Sequence, residues 1–590
     1  MLNPNTDRLD YGRLLAPPPG FHLDFAVGTT YSLDLDALVG AALALALGEE
    51  TDSALLENPV CLLEALRTAG EQVALFCEDG QIALPGRATP LYILLEKMVC
   101  PVRTGKGRGQ GYPSFHPKFW LLRYAGEQGK PLYRVVVLSR NLTFDRSWDV
   151  AFSMDGGKGE DSGGKNEPVR DFLRYLAGHL PDTPAGKEKR GKINALIREL
   201  PLVTFSTGEK MFSDFEFLPT GIPHRSIRTA PLFTGTFREL LVMSPFLSGG
   251  VIRDFNGRAR QCALFTRAAS LAKLKPADCS NFRLYTLRDG VIDGEADLSG
   301  EEGAAQRQDI HAKLYMADRD LYVGSLNASH NAVYRNVEFM LRLRSSGYYL
   351  SMEKLLAALR GSDPGGSGDP FQEAALNDSV QEGEGQSLLD GFIKELVRCQ
   401  PAASVTADGE RYALRLTFGA LPASPYAVTV RPLLAKGLAA PLAEKMTFPG
   451  LELTQLSEFF VVSVSEVGAS IHRVLLIPAE GMPEEREGSV VSAVVKDVGL
   501  VRYIAFLLGD DAVLSTLEQN AVGENGNSLR HRDGIPPLYE KMLLAAATDR
   551  SKLQSVDSLL RMMEGGETDG ELEEFKTLYN TFKKAVKLDG

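Results

Sequence analysis

The stretch DIHAKLYMADRDLYVGSLNAS, residues 309–329, holds a histidine and a lysine two positions apart and ends in Gly-Ser-x-Asn after a second apolar run. Its alternating apolar residues predict two β-strands. In a strand, side chains two apart point to the same face, so His311 and Lys313 would lie side by side. Such a pair suits a phosphodiester, because the ammonium neutralises a non-bridging oxygen and the imidazole can attack phosphorus or move a proton.

This pattern occurs twice in the first 350 residues. Three segments recur in the same order: QVALFCEDG (72–80) and QCALFTRAA (261–269), SFHPKFWLLRY (114–124) and DIHAKLYMAD (309–318), and VVVLSRNLT (135–143) and LYVGSLNAS (321–329). The matched positions are 186 to 195 residues apart. Each match alone is weak, but a shared order at a nearly constant offset predicts an internal repeat.

The two copies supply equivalent sets of polar side chains. The first copy has His116, Lys118, Ser139 and Asn141, and the second has His311, Lys313, Ser325 and Asn327. Serine and asparagine can donate hydrogen bonds to phosphoryl oxygens. A carboxylate among alternating apolar residues follows in each copy, Asp149 and then Glu338. A charge there needs a partner, and a histidine Nδ1–H would be one, leaving Nε2 to face a substrate.

The second copy resembles the H-x-K-x4-D…G-S-x-N motif of the phospholipase D superfamily, in which two copies form one active site across a pseudo-twofold axis. The resemblance covers residues from about 22 to 345. The first copy departs from the motif at Arg123, where the family has an aspartate, and at Leu138, where it has a glycine. Tyrosyl-DNA phosphodiesterases also lack that aspartate, and SRNLT resembles their S-x-N-L segment. The aspartate is structural in this interpretation, so its absence leaves the chemistry intact.

The resemblance implies a phosphodiesterase that uses no metal and no cofactor. One histidine attacks phosphorus to form a phosphohistidine, and the other protonates the leaving oxygen and then activates water. We assign His116 as the nucleophile, because the first-half histidine has that role in most two-copy members, and His311 as the general acid and base. The reverse assignment stays open. The lysines and the Ser/Asn pairs would cradle the phosphate, and Asp149 and Glu338 would orient the histidines.

The motif predicts the reaction type but not the diester. The stretch VRTGKGRGQGY (102–112) places Arg103, Lys106 and Arg108 just before the His116 segment, where they could contact a nucleic-acid backbone or simply be solvated. Together with the resemblance to tyrosyl-DNA phosphodiesterase, this favours a nuclease, with DNA favoured over RNA. A subunit of a bacterial anti-phage or restriction system, beside a helicase or other ATPase, is one context. The alternatives are a cytoplasmic phospholipase or phosphatidyl transferase and a catalytically silent scaffold subunit.

The composition is that of an ordinary globular protein, with 590 residues, 44% hydrophobic and 24% charged. A net charge of −12 disfavours non-specific coating of nucleic acid but allows a local basic cleft. The six cysteines contain no C-x-x-C pair, so we predict no metal site. No signal-peptide pattern and no apolar run of membrane-spanning length are present, so we expect a cytoplasmic protein without membrane contact.

The fold class that these patterns predict is α/β. We expect two pseudo-symmetric phospholipase D-like lobes that share one active site, a mainly β domain and a small C-terminal helical module. The predicted boundaries are 1–205 for the first lobe, 206–360 for the second lobe, 361–400 for a linker, 401–508 for the β-rich domain and 509–590 for the helical module.

Overall fold

The computed structural model describes residues 11–47, 59–105, 112–126, 129–144, 147–159, 162–288, 309–361, 364–365, 369–376, 385–466, 469–498, 504, 542, 545–546, 550–563 and 570–585. The α-helices in these ranges are α1 (Tyr11–Leu15), α2 (Leu35–Leu47), α3 (Pro59–Gln72), α4 (Glu167–Ala177), α5 (Pro184–Glu199), α6 (Pro231–Thr234), α7 (Gly249–Arg258), α8 (Ala268–Leu271), α9 (His330–Tyr334), α10 (Met352–Arg360), α11 (Gly385–Leu396), α12 (Glu485–Val498), α13 (Arg550–Met563) and α14 (Gly570–Ala585).

The strands of the two lobes are β1 (Phe21–Thr30), β2 (Val73–Glu78), β3 (Ile82–Ala83), β4 (Val99–Val102), β5 (Phe119–Gly126), β6 (Pro131–Leu138), β7 (Ser147–Trp148), β8 (Ala151–Lys158), β9 (Val203–Ser206), β10 (Phe212–Thr220), β11 (Phe237–Met243), β12 (Ala259–Phe265), β13 (Phe282–Leu287), β14 (Asp309–Ile310), β15 (Leu314–Ala317), β16 (Asp320–Gly324) and β17 (Glu338–Ser345). The later strands are β18 (Phe371–Glu373), β19 (Ala402–Asp408), β20 (Arg411–Thr417), β21 (Ala427–Pro432), β22 (Ala440–Pro441), β23 (Lys445–Leu451), β24 (Phe459–Glu466), β25 (Ala469–Leu476) and β26 (Ala479–Glu480).

The first lobe contains a seven-stranded mixed sheet in the order β4-β2-β1-β5-β6-β8-β9. β1, β2 and β4 run parallel to one another, and each later neighbour is antiparallel to the strand before it. Alternate residues of β1 enter different cores: Ala26 packs in the core that contains α2 and α3, and Val27 packs in the core that contains α4 and α5. The sheet is therefore covered by helices on both faces, as its fully buried strand β2 requires.

The second lobe repeats this arrangement. Its eight-stranded sheet has the order β10-β17-β16-β15-β11-β12-β13-β18. Taken from β13 to β10, seven of these strands have the same order and the same relative directions as β4 to β9, and β18 adds one edge strand. The two sheets share one apolar core, in which Phe119 and Phe172 of the first lobe pack on Phe339 of the second. The α/β class is confirmed, and so is a mainly β region after it.

The C-terminal β region, strands β19 to β26, forms a four-stranded and a five-stranded sheet. The five-stranded sheet includes β3 of the first lobe, which pairs with β25. Polar contacts add to this strand pairing. The buried Glu96 carboxylate of the first lobe accepts a hydrogen bond from the Ser457 hydroxyl at 2.7 Å and forms an ion pair with Arg486 at 2.8 Å. Side chains of α13 and α14 also enter the core around α2 and α3. The C-terminal part is thus built onto the first lobe.

Two ordered elements, β18 and α11, lie within residues 361–400, for which the sequence predicted a linker. β18 extends the sheet of the second lobe, and α11 buries an apolar face in the core of the C-terminal β region. The glycines, serines and acidic residues around these elements obscured them, although Leu389, Phe392, Ile393 and Leu396 have helical spacing. The domain boundaries stay predictions. No described helix is both long enough and apolar enough to cross a membrane.

Candidate active site

The two His-x-Lys segments lie immediately before strands, which corrects the prediction that they are part of them. Lys118 precedes β5, and Lys313 precedes β15. The reason is that the backbone here pairs with the other lobe. Phe115 forms a parallel bridge with Val337, and β14 pairs with β7 in the same direction. In each lobe, the backbone segment before the histidine thus pairs with a segment of the other lobe.

These backbone contacts are matched across the two lobes. The His116 N–H donates to the Val337 carbonyl at 2.9 Å, and the His311 N–H donates to the Trp148 carbonyl at 3.0 Å. Each acceptor belongs to the residue that directly precedes the carboxylate of its lobe. The ladders therefore bring each histidine next to the carboxylate of the opposite lobe.

The side chains pair in the same crossed manner. Nδ1 of His116 lies 2.9 Å from Oε2 of Glu338, and Nδ1 of His311 lies 3.2 Å from Oδ1 of Asp149. The imidazoles are 13% and 16% exposed, so solvent reaches both rings in an otherwise buried cluster. With the hydrogen on Nδ1, the Nε2 lone pair is free for a reacting atom. The predicted site residues of the two motifs are brought together, and the crossing is a feature that the sequence did not indicate.

The two serines are engaged with the carboxylates. Ser139 Oγ donates to Asp149 at 2.9 Å, and Ser325 Oγ donates to Glu338. Each Oγ also accepts the amide N–H that follows its carboxylate. Both serines are completely buried, and a buried carboxylate requires such donors. Their hydroxyls therefore hold the two carboxylates, and their place in a phosphate cradle stays a prediction.

The two asparagines differ. Asn141 Oδ1 accepts the backbone N–H groups of Tyr31 and of the next residue, at 3.3 and 3.5 Å. Asn327 Oδ1 is buried and has no partner among the described residues. In each lobe, a side-chain hydroxyl accepts the backbone N–H of the residue that follows the asparagine. The residue after that hydroxyl is Tyr31 in the first lobe and Pro245 in the second, so these two positions are equivalent. Proline has no N–H to donate, so Asn327 keeps an open hydrogen-bonding position beside the site.

The two lysines lie beneath the histidines and are completely buried. Lys118 Nζ donates to the His116 carbonyl at 3.0 Å, and Lys313 Nζ donates to the carbonyls of His311 and Ser139. Burial and the charge of Lys313 hold the pKa of Lys118 well below its usual value. Burial lowers the pKa of Lys313 to about 7, although Asp149 and Glu338 act in the opposite direction. The pair is therefore able to gain positive charge when an anion enters.

The carboxylates have opposite pKa shifts. Burial raises the pKa of Glu338 to about 8. Burial also acts to raise the pKa of Asp149, but the hydrogen bond and charge of His311 outweigh it and bring that pKa to about 2. Burial lowers the pKa of His311 to about 4, and burial together with nearby lysines holds the pKa of His116 well below its usual value. At neutral pH both imidazoles are neutral, and Asp149 is the ionised partner.

The predicted basic loop is described only in part. Arg103 Nε lies 2.5 Å from Oδ2 of the buried Asp79, so this guanidinium is engaged in an ion pair. Lys106 and Arg108 lie outside the described residues. The role of the loop in binding stays a prediction. Among the described residues, no group of three or more His, Cys, Asp or Glu side chains is placed to hold a metal ion.

Sequence reasoning missed a set of residues around His116. The Tyr31 ring centroid lies 5.1 Å from that of His116. Lys394 of α11 donates from Nζ to Ser114 Oγ at 2.8 Å and lies 3.5 Å from Glu78. The helical spacing of apolar residues in α11 was the signal that could have located Lys394, because it predicts an ordered helix within the glycine-rich stretch.

Comparisons with known proteins add little to this geometry. No protein-family model matches the chain, and no curated protein matches it. Among solved structures, the crystal structure of a polyphosphate kinase from Porphyromonas gingivalis matches with 11% sequence identity and a TM-score of 0.26. The match covers 56% of this chain and 44% of that one. A similarity of this size carries no argument about activity or substrate.

Proposed function

We propose that this chain is a phospholipase D-like phosphodiesterase, and specifically a nuclease, that works through a phosphohistidine without a metal ion. The observation that carries the proposal is the crossed pairing of His116 with Glu338 and of His311 with Asp149 above two buried lysines. Two imidazoles with engaged Nδ1 atoms provide a nucleophile and a proton donor. The lysines provide the positive charge that a phosphoryl group requires.

The electrostatic asymmetry supports His116 as the nucleophile. Its pKa is held low by burial and by three lysines, so it stays neutral and keeps its Nε2 lone pair. His311 faces the ionised Asp149, and an anion at Nδ1 stabilises the imidazolium that a general acid requires.

The reaction then has two steps. When the anionic diester binds, its charge adds to that of Asp149 and raises the pKa of His311, which takes up a proton from solvent at Nε2. His116 Nε2 then attacks phosphorus, the bond from phosphorus to the leaving oxygen breaks, and that oxygen takes this proton from His311. In the second step, His311 removes a proton from water, the water oxygen attacks phosphorus, and the phosphorus–nitrogen bond breaks. Asp149 and Glu338 hold the two rings, and each serine holds its carboxylate.

Nucleic acid is the substrate class that we propose, with DNA favoured over RNA. Its support is the resemblance of SRNLT to tyrosyl-DNA phosphodiesterases and the cationic side chains near the first-lobe half of the site, Arg103, Lys394 and Arg398. A place in a bacterial anti-phage or restriction system beside a helicase or other ATPase is part of the same proposal. A phospholipase or phosphatidyl transferase and a silent scaffold are the competing functions.

The test is cleavage of labelled single- and double-stranded DNA and RNA in excess EDTA. Wild type is compared with His116→Asn and His311→Asn at equal folded concentration. His472→Asn, an exposed histidine of the C-terminal β region, is the matched control. We expect wild type and the control to cut, and both active-site variants to lose cutting. In His311→Asn, a labelled diester with a 4-nitrophenolate leaving group, which departs without a proton, should leave label on His116 after an alkaline denaturing quench, because phosphohistidine is stable in alkali and the second step lacks its base.

Phosphatidylcholine and phosphatidylglycerol vesicles, assayed in parallel, separate the competing functions. Hydrolysis of lipid but not of nucleic acid would replace the nuclease with the phospholipase. An absence of turnover on every diester, with folded monodisperse protein, would overturn the proposal in favour of a scaffold.

A further inference from the structure

Helix α11 has two chemically different faces. Its apolar face lies in the core of the C-terminal β region. Lys394, in the last turn of α11, and Arg398, in the turn that follows the helix, contact the first lobe. Arg398 donates to the Thr104 carbonyl at 3.2 Å and lies over the Tyr112 ring at 3.7 Å. The β region therefore holds a helix whose cationic side chains border the candidate active site.

Lys394 connects to His116 through a short chain of contacts. Its Nζ donates to Ser114 Oγ at 2.8 Å and lies 3.5 Å from Glu78 Oε1. The other oxygen of Glu78 accepts the Phe115 N–H at 2.7 Å. Phe115 directly precedes His116. Two side-chain contacts of one lysine thus act on the backbone that carries the candidate nucleophile.

The lysine also compensates a buried charge. Glu78 is 1% exposed, and burial raises its pKa while Lys394 acts against that rise. A buried carboxylate that loses its cation is strongly destabilised or becomes protonated. The hydrogen bond from the Phe115 N–H to the Glu78 carboxylate therefore depends on a residue from outside the two lobes.

The second lobe makes the corresponding contact with one of its own charged residues. The matched strands place Arg267 where the first lobe has Glu78. Arg267 Nε donates to the Ile310 carbonyl at 2.9 Å, and Ile310 directly precedes His311. Each lobe therefore anchors the residue before its histidine with a charged side chain. The second lobe uses a cation, whereas the first uses an anion whose buried charge Lys394 compensates.

We propose that Lys394 is a positioning residue of the active site, which holds the backbone of His116 through Ser114 and Glu78. The inference rests on the proposed function, because it assigns a role in the same reaction. It makes α11, and the β region in which α11 is packed, part of the catalytic unit.

The positive charge of Lys394 also acts on the imidazole. The charged and titratable groups around His116 are Lys118, Lys313, Lys394, Glu338, Glu78 and Tyr31. The three lysines and burial lower the pKa of His116. Without the charge of Lys394, that pKa rises, and the imidazole becomes protonated at a higher pH. Since the nucleophile must be neutral, the acidic limb of the kcat/KM profile moves to higher pH.

The experiment compares Lys394→Met, Lys394→Arg and Asp390→Asn in the full chain. Asp390 lies one turn earlier on α11 and pairs with Arg473 of the β region, so its variant loosens the helix without touching the site. We expect Lys394→Met to lower kcat about 10- to 100-fold with little change in KM, and to shift the acidic limb upward. Lys394→Arg should keep most of the wild-type kcat and the wild-type pH of the acidic limb. Asp390→Asn should match wild type in both.

A second readout does not require turnover. With 13Cε1-labelled histidine, the His116 signal is identified by its loss in His116→Asn, and its titration is followed in wild type and Lys394→Met. An upward shift in the titration supports the inference even if no diester is cleaved, in which case only the proposed function fails. An unchanged titration together with an unchanged kcat would overturn the inference and leave the function standing. If Lys394→Met does not fold, Lys394→Gln, which can still donate to Ser114, replaces it.

Discussion

Oε2 of Glu338 lies 2.9 Å from Nδ1 of His116, although the two residues come from different lobes. Asp149 and His311 repeat this relationship in the opposite direction. Each lobe therefore contributes the histidine of one pair and the carboxylate of the other. Neither lobe contains a complete catalytic pair, so the reaction proposed above depends on the interface between them.

The crossed pairing predicts which histidine responds to the loss of each carboxylate. Asp149→Asn should lower the pKa of His311 further, because the anion that stabilises its charged form is removed, and should leave His116 unchanged. The same variant should lower kcat by about 10²- to 10⁴-fold through loss of acid–base function. Histidine NMR titration and steady-state kinetics check the two effects.

Glu338→Gln is the reciprocal control for this pairing. It should perturb the signal of His116 and not that of His311. A response of His116 to Asp149→Asn would contradict the crossed arrangement and favour pairing within each lobe.

Anion binding should be stronger at lower pH. Lys313 has a pKa of about 7, so below that pH it is a cation that attracts an anion, and above it the attraction is lost. The association constant of tungstate, which keeps its charge across this range, should fall by up to about tenfold per unit as pH rises from 7 to 9. Isothermal titration calorimetry measures it. Lys313→Met should bind weakly with a flat profile, and a steep profile in that variant would assign the proton to another group.

Lys313 should reduce stability while it supports function. Its folded pKa of about 7 lies below the ordinary value of 10.5, so the unfolded chain binds the proton more tightly. The resulting cost to folding is complete below pH 7 and disappears towards pH 10.5. Lys313→Met should therefore raise the free energy of unfolding by roughly 1–4 kcal/mol at pH 7, with a smaller gain at pH 9. Urea unfolding at the two pH values tests this, and a gain independent of pH would point to packing instead.

Residues 1–360 should not form a stable protein alone. The core around α2 and α3 includes Phe459 and Val474 of the β region and Phe575 of α14. Removing these elements exposes apolar surface on the first lobe and leaves Glu96 without Arg486. We expect the fragment to aggregate or to bind a hydrophobic dye, as measured by light scattering and dye fluorescence. A monodisperse fragment with a cooperative thermal transition would show that the lobes are independent.

The site's members could be predicted because their spacing is local. His-x-Lys and Ser-x-Asn place two side chains within three residues, and the second occurrence at a similar offset identifies the partner half. The crossing could not be predicted, since it depends on the pairing of β14 with β7 and of Phe115 with Val337, contacts between residues far apart in the chain. The contacts of the serines with the carboxylates could not be predicted for a related reason: a hydroxyl can donate to a phosphate or to a carboxylate, and only the fold shows which carboxylate is near.

Lys394 was missed because composition dominated the interpretation of its surroundings. Glycine and serine on both sides indicated a linker, whereas the apolar spacing within α11 indicated a helix. The class of the fold was more accessible, since the order of strands and helices in the first 350 residues already indicates α/β layering.

The differences between Tyr31 and Pro245 and between Glu78 and Arg267 have a consequence for substrate polarity. A site with perfect twofold symmetry would accept a diester equally well in two orientations, and either ester oxygen could depart. Here the His116 half of the site has an aromatic ring and an ion pair where the His311 half has a proline and an arginine. In the proposed reaction, we therefore expect a chain with direction, such as a nucleic-acid strand, to bind one way round, so that the same ester bond breaks in every turnover.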